Sequence, residues 1–335
     1  MNINTKIYIA GHCGLVGSAL LRKLKVQGYK NIITRTHSEL DLTNRIATEA
    51  FFAAEKPDFV FLAAAKVGGI LANNIYPADF ISINLAIQTN VIQAAHRHDV
   101  QRLLFLGSSC IYPRDCSQPI KEEYFLSGSL EATNRSYAIA KIAGVEQCWS
   151  YNRQYGTQFL AVMPTNIYGR GDHYDLVNTH VIPALIRKCH EAKTCGNNEF
   201  VIWGTGTAKR EFLYSDDLAD ASVFVMSLSD ESFGLIIRPE SEAPPIINIG
   251  CGEDLKIVQL AEIIKDVVGF HGKIIFDPSK PDGTPRKLLD CEKINRLGWT
   301  PKVTLREGVA KSYKDFLQLT IPISEEINTA KQTRK

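Results

Sequence analysis

The stretch "KIYIAGHCGLVGSALLRKLKVQG", residues 6–28, decides how the rest of the chain is read. A short apolar run at residues 6–10 breaks at Gly11. It gives way to a segment in which Leu15, Val16, Ala19, Leu20 and Leu24 recur at helical spacing. That is a strand, a tight turn and a helix. The turn places glycines at 11, 14 and 17. Gly11 permits the turn, Gly14 lets a pyrophosphate approach the backbone, and Gly17 allows the helix to pack closely on the strand. The helix N-terminus offers free N–H groups to an anion. The pattern predicts a dinucleotide-binding loop; a glycine-rich turn without a ligand is the plain alternative.

Outward from this unit the same rhythm continues. "NIITRT" (31–36), "FVFLAAA" (59–65), "RLLFLGSS" (102–109) and "FLAVMPTN" (159–166) alternate with helical patterns such as "INLAIQTNVIQAAHRHD" (83–99). Strands this apolar are buried on both faces, which predicts a parallel sheet flanked by helices. The expected fold is α/β: a Rossmann-type doubly wound parallel sheet, with a smaller α/β C-terminal domain for substrate. Residues 1–167 read as the cofactor domain, with a segment at about 213–232 returning to it. Residues 168–320 read mainly as the substrate domain, including "PIINIG" (245–250) and "KIIFD" (273–277), and 321–335 as a polar tail.

Composition narrows the partners. With 335 residues, 45% apolar, 22% charged and a net charge of +2, the chain has the profile of an ordinary globular protein. Bulk charge attracts neither nucleic acid nor an anionic membrane, so an anionic ligand needs a local pocket. No apolar run approaches the roughly 18 residues of a membrane span, and no signal-peptide core is visible. Cysteines at 13, 110, 116, 148, 189, 195, 251 and 291 form neither a CxxC pair nor a zinc-spaced cluster. Free thiols, no metal and a reducing cytoplasm are the expectation.

Two further groups carry chemistry. Arg35 and His37 follow the second strand, where an adenosine 2′-phosphate would lie; basic residues there tolerate NADP, whereas an acidic one would select NAD. Arg35 as a solvated surface charge is the alternative. "YAIAK" sets Tyr137 and Lys141 four apart on one helical face, and a nearby ammonium makes a phenol a usable proton donor. The spacing alone suits any amphipathic helix. Its weight comes from the order of phosphate loop, strand ending in Ser108, then YxxxK.

That order resembles the extended short-chain dehydrogenase/reductase family, where Ser108, Tyr137 and Lys141 would polarise and protonate a carbonyl receiving hydride. "LAAAKVGGI", "FLGSSCIYP", "YAIAKIAG", "HVIPAL", "WGTGTAKREFL" and "KPDGTPRKLLD" are similar to its branch of GDP-4-keto-6-deoxy-sugar epimerase/reductases, over the chain to about residue 318. The resemblance implies a homodimer through a helix bundle, NADP(H) as cofactor, and GDP-4-keto-6-deoxy-D-mannose as substrate. Cys110 and His180 would then exchange protons at C3 and C5, which the C4 ketone makes acidic. Taken alone, Cys110 fits a small buried hydrophobe and His180 a helix cap.

Cofactor contacts implied are Gly11, His12, Cys13, Gly14, Leu15, Val16 and Gly17; Arg35, His37, Asp41 and Leu42; Leu106, Gly107, Ser108 and Ser109; Tyr137 and Lys141; and Pro164, Thr165, Asn166, Ile167 and His180. Lys188, Trp203, Arg210 and Asp282 would hold the GDP-sugar. Cys13 and His37 stand where relatives often carry arginines, and Lys188 replaces an arginine, keeping charge but losing the bidentate fork. A sister enzyme acting on a related GDP-4-keto sugar, of the colitose or heptose type, is the near alternative. A non-catalytic NADP-binding protein is a remote one.

Overall fold

The apolar runs become strands whose side chains are enclosed on both faces. The structure, a computed structural model, describes residues 1–176, 179–238, 240, 242–280 and 284–320. The first half comprises β1 (Ile7–Ala10), α1 (Leu15–Val26), β2 (Ile32–Ile33), α2 (Arg45–Glu55), β3 (Phe59–Leu62) and α3 (Ile70–Ile75). It continues with α4 (Pro77–Arg97), β4 (Arg102–Leu106), α5 (Arg135–Tyr155) and β5 (Phe159–Pro164). The second half opens with β6 (Asn166–Tyr168), α6 (Val181–Thr194), β7 (Glu199–Trp203), β8 (Lys209–Tyr214), α7 (Ser215–Met226) and α8 (Asp230–Ile237). It closes with β9 (Ile246–Ile249), β10 (Asp254–Lys256), α9 (Ile257–Val268), β11 (Lys273–Asp277), β12 (Arg286–Lys287), α10 (Glu292–Arg296) and α11 (Leu305–Thr320).

Six parallel strands form the main sheet in the order β2-β1-β3-β4-β5-β9. Every residue of β1, β3 and β4 is buried. Large side chains such as Phe61 and Phe105, at most 1% exposed, each contribute roughly 1.5–3 kcal/mol by leaving water. The chain turns one way from β1 to β2 and the other way from β1 to β3. In such sheets ligands bind beyond the carboxyl ends of the strands, at this switch point. Gly11, after β1, and Ser108, after β4, both lie at those ends.

The structure departs from the sequence reading at two strands. "NIITRT" supplies only Ile32–Ile33 to the sheet edge, because the polar residues after Ile33 have no apolar layer to cover them. "PIINIG" does not stand in a separate domain: β9 pairs with β5 and completes the main sheet. Its four residues are buried on both faces, as a strand under helices must be. Leu289, Ile294 and Trp299 also pack into this first core, as do Leu218, Val223 and Met226 of α7.

A second core gathers Tyr168, Ile182, Ile186, Phe200, Phe212, Leu260, Ile264, Val309 and Phe316. Around it, β8 pairs with β6, β10 and β12, and β7 pairs with β11. The polar tail lies outside the described residues. Among the described residues no helix is long and apolar enough to cross a membrane. No group of three or more His, Cys, Asp or Glu there is placed to hold a metal ion, and all eight cysteines are free.

Candidate active site

The phosphate loop has steric reasons for two of its glycines. Gly11 has φ +86°, and a Cβ there would come within 2.7 Å of the Ala64 backbone. A Cβ on Gly17 would lie 2.1 Å from the Gly11 carbonyl oxygen, so α1 could not sit where it does. Gly14 has no protein atom nearer than 3.5 Å to such a Cβ. No side chain caps α1 at Gly14, and the buried His12 Nδ1 has no hydrogen-bond partner. Unclaimed N–H groups and an unpaired ring nitrogen around an open cradle fit a dinucleotide's phosphates.

The ribose end is arranged less simply. Arg35 is held by Glu55 of α2 at 2.6 Å, donates to the Thr34 carbonyl at 2.8 Å and lies over the Phe51 ring. Its guanidinium is committed to the protein in this conformation. His37 is 84% exposed, 3.9 Å from Asp41, whose carboxylate accepts from the Thr43 backbone and hydroxyl. Cys13 is exposed, its Sγ 3.3 Å from His12 Nε2. Leu42 is buried nearby in the first core.

Ser108, Tyr137 and Lys141 are brought together by the contact between α5 and β4. Gly144 makes that contact possible, since a Cβ there would meet the Phe105 ring at 2.4 Å. Lys141, 4% exposed, donates from Nζ to the Leu106 carbonyl at 2.7 Å and lies 5.7 Å from the centre of the Tyr137 ring. Burial lowers Lys141 to about 8. Burial raises the Tyr137 phenol, and Cys110 adds to that, while the Ser108 hydroxyl pulls the other way. The Ser108 side chain caps the 3-10 turn Ser109–Ile111, accepting from the Cys110 N–H at 3.3 Å.

Cys110 is 6% exposed. Burial pushes its thiol up; Lys287, Ser108 and Lys141 oppose that push in decreasing order. Lys287 is carried by β12, which pairs with Arg210 of β8. Asn134, with a buried amide oxygen that has no partner, lines the same small cavity as Cys110 and Lys287. His180 occupies the N-cap position of α6 but makes no side-chain capping bond. It is exposed to solvent by surface area, and desolvation by the protein packed around it lowers its pKa. Among the described residues no hydrogen bond joins it to the Cys110 cluster.

At the far end, Lys188 lies 4.7 Å and Lys280 5.7 Å from the centre of the Trp203 ring, which is 46% exposed. Arg210 donates to the Lys209 carbonyl. Thr165 and Asn166 are tied to the Glu211 carbonyl at 3.3 and 2.8 Å, which fixes the segment holding Pro164 and Ile167 against β8. Gly107 N–H bonds to the Val162 carbonyl, and Ser109 is buried beside it. Asp282 lies outside the described residues. Sequence reading missed Lys287, Asn134 and Lys280; only Asn134, one turn before Tyr137, carried a local signal.

A strand–glycine loop–helix unit at the head of a parallel sheet, with Tyr and Lys one turn apart facing a Ser, has a counterpart in a known family. The profile of the NAD dependent epimerase/dehydratase family matches residues 7–250. The chain belongs to this family. Among epimerase/dehydratases, it is 55% identical over 315 residues to GDP-L-fucose synthase 1 of Arabidopsis thaliana, covering 94% of each chain. It is 51% identical over 315 residues to GDP-L-fucose synthase of Escherichia coli strain K12, covering 93% of this chain and 97% of that one. The fold superposes on a GDP-D-glycero-L-gluco-heptose synthase from Campylobacter jejuni, solved in the presence of NADPH. That match has a TM-score of 0.86 and 38% identity over 95% of this chain and 99% of the other.

Proposed function

We propose that this protein converts GDP-4-keto-6-deoxy-D-mannose to GDP-L-fucose, as a bifunctional 3,5-epimerase and NADPH-dependent 4-reductase. The observation that carries the reading is the buried Cys110 thiol set among Ser108, Tyr137 and Lys141. A simple carbonyl reductase needs the last three and has no use for the first. Identity of 55% and 51% to GDP-L-fucose synthases, against 38% to the heptose synthase, favours the fucose precursor over the sister substrates.

The cofactor is NADP(H), held by the 11–17 loop, the N-terminus of α1 and the Tyr137–Lys141 face of α5. When bound, NADPH supplies the hydride for C4. Tyr137 donates a proton to the C4 oxygen, Ser108 donates a hydrogen bond to it, and Lys141 favours the charge that develops. The same polarised ketone makes the C3 and C5 protons acidic. Cys110 and His180, on opposite sides of the sugar, remove and return them. Epimerisation comes first, because reduction destroys the ketone that acidifies those positions. Lys188, Lys280 and Arg210 neutralise the diphosphate, and Trp203 offers its face to the base.

The enzyme acts in the cytoplasm as a homodimer paired through α4 and α5, where Tyr155 is half exposed and stacked on His96. Sedimentation at micromolar concentration tests the dimer. The activity is tested by comparing kcat/KM for GDP-4-keto-6-deoxy-D-mannose with that for 3,6-dideoxy and heptose analogues. Preference for the first supports the reading; preference for either analogue replaces it with a sister enzyme.

A further inference from the structure

Cys110 and Lys287 come from segments 177 residues apart, yet line one small cavity of about 30 Å³ together with Ser109, Glu131 and Asn134. The approach is built in three ways. Lys287 is placed by the pairing of β12 with β8. The next residue, Leu288, donates its N–H to Gln118 Oε1 at 2.8 Å and accepts from the Ile120 N–H at 2.7 Å. Leu289 is anchored by its N–H to Glu211, a fully buried carboxylate, at 3.0 Å. The chain beyond Cys110 is thus stitched to the chain beyond Lys287. Arg286 forms an ion pair with Asp254, but among the described residues the Lys287 ammonium has no hydrogen bond or ion pair.

We propose that Lys287 is the positioning cation for Cys110: its ammonium faces the thiol across their shared cavity and makes the thiolate reachable during proton exchange at the sugar. The need is physical. An acid/base group must visit both protonation states, and a buried thiol resists ionising unless a cation stands beside it. The charged and titratable groups around Cys110 are Tyr137 and Lys141 on α5, Lys287 and Arg286 on β12, and Arg114 and Glu131 along the cavity wall. Arg114 is paired with Glu131 and Arg286 with Asp254. Lys141 is hydrogen-bonded to Leu106 and serves the tyrosine. Lys287 exerts the larger opposing effect on the thiol and is itself faced by Arg210, Cys116 and Glu131.

The inference rests on the acid/base role given to Cys110 above, and the test separates the two. Lys287→Met and Lys287→Arg are compared with the parent, with Lys287→Gln in place of the first if it does not fold. Two quantities are read: the pH profile of Cys110 alkylation by iodoacetamide, resolved by peptide mass spectrometry, and deuterium uptake at C3 and C5 of GDP-4-keto-6-deoxy-D-mannose in D2O without reductant. Loss of the charge should move the alkylation profile up by about one pH unit and slow uptake about tenfold near pH 7. Lys287→Arg should restore both toward the parent. An unmoved alkylation profile with a raised KM would make Lys287 a ligand for the substrate's phosphates and overturn the proposal. A shifted profile with undiminished uptake would instead overturn the acid/base role of Cys110, leaving the thiol–cation coupling intact.

Discussion

The Lys141 ammonium sits 2.7 Å from the Leu106 carbonyl oxygen, so the helix that carries Tyr137 is bolted to the end of the strand that leads to Ser108. That bond fixes the tyrosine, the serine and the cation in one frame. It also keeps a charge in a place that disfavours it. Replacing Lys141 with Met should cut 4-reduction by about 10²–10⁴, measured as single-turnover NADPH oxidation. Reduction by the parent should decline above pH 8, as the ammonium is lost.

The same group has a signature in stability. Folding lowers Lys141 from 10.5 to about 8, so between those values the unfolded chain binds more protons than the folded one. Stability of the parent must therefore gain relative to Lys141→Met as pH rises from about 8 to about 10.5. The full shift corresponds to as much as ~3 kcal/mol. Urea unfolding of both proteins across that window checks it; a constant difference would show that the lysine is not desolvated as described.

The phosphate loop predicts opposite failures at two glycines. Gly17→Ala forces a Cβ to 2.1 Å from Gly11 O, and should unfold the protein at a markedly lower temperature. Gly14→Ala meets nothing nearer than 3.5 Å. It should fold normally and lose about tenfold or more in NADPH affinity, because the methyl fills the space meant for pyrophosphate. Thermal unfolding and fluorescence titration separate the two.

Trp203 and Lys188 should act on binding alone. Trp203→Ala or Lys188→Met removes part of a cation–ring pair at the proposed base and diphosphate end. The expected result is a several-fold rise in KM for the GDP-sugar with kcat nearly unchanged, since each variant loses one partly exposed contact to the bound nucleotide, worth about 0.5–1.5 kcal/mol, and leaves the reacting carbons untouched. A fall in kcat instead would place these residues nearer the reacting carbons.

What was legible in the sequence was what is local. Residues 6–28 contain their own strand, turn and helix, and the steric demands of Gly11 and Gly17 belong to that unit. Tyr137 and Lys141 share a face by helical spacing, whatever the rest of the chain does. β9 was misplaced because four apolar residues show that a strand is buried, not which sheet buries it. Arg35 was read as a neighbour of a 2′-phosphate or a solvated charge, and no sequence pattern reveals that Glu55, twenty residues on, pairs with it. Lys287 reaches Cys110 only through β12–β8 pairing and the ties from Leu288 to Gln118 and Ile120. Such relations exist only after folding.

Cys110→Ser should separate the two activities. The serine hydroxyl is slightly smaller but keeps the branching and scarcely ionises, so proton exchange at C3 and C5 should fall by about 10²–10⁴. Tyr137 and Lys141 stay in place, so hydride transfer to the unepimerised ketone should still be detectable by NADPH oxidation.

The coupling of epimerisation to reduction is tested most directly by NMR analysis of the product formed by the purified parent protein from GDP-4-keto-6-deoxy-D-mannose and NADPH in D2O. The expected product is GDP-L-fucose carrying deuterium at both C3 and C5. A reduced product with no deuterium at those carbons would make the protein a simple 4-reductase and leave the buried thiol without a chemical task.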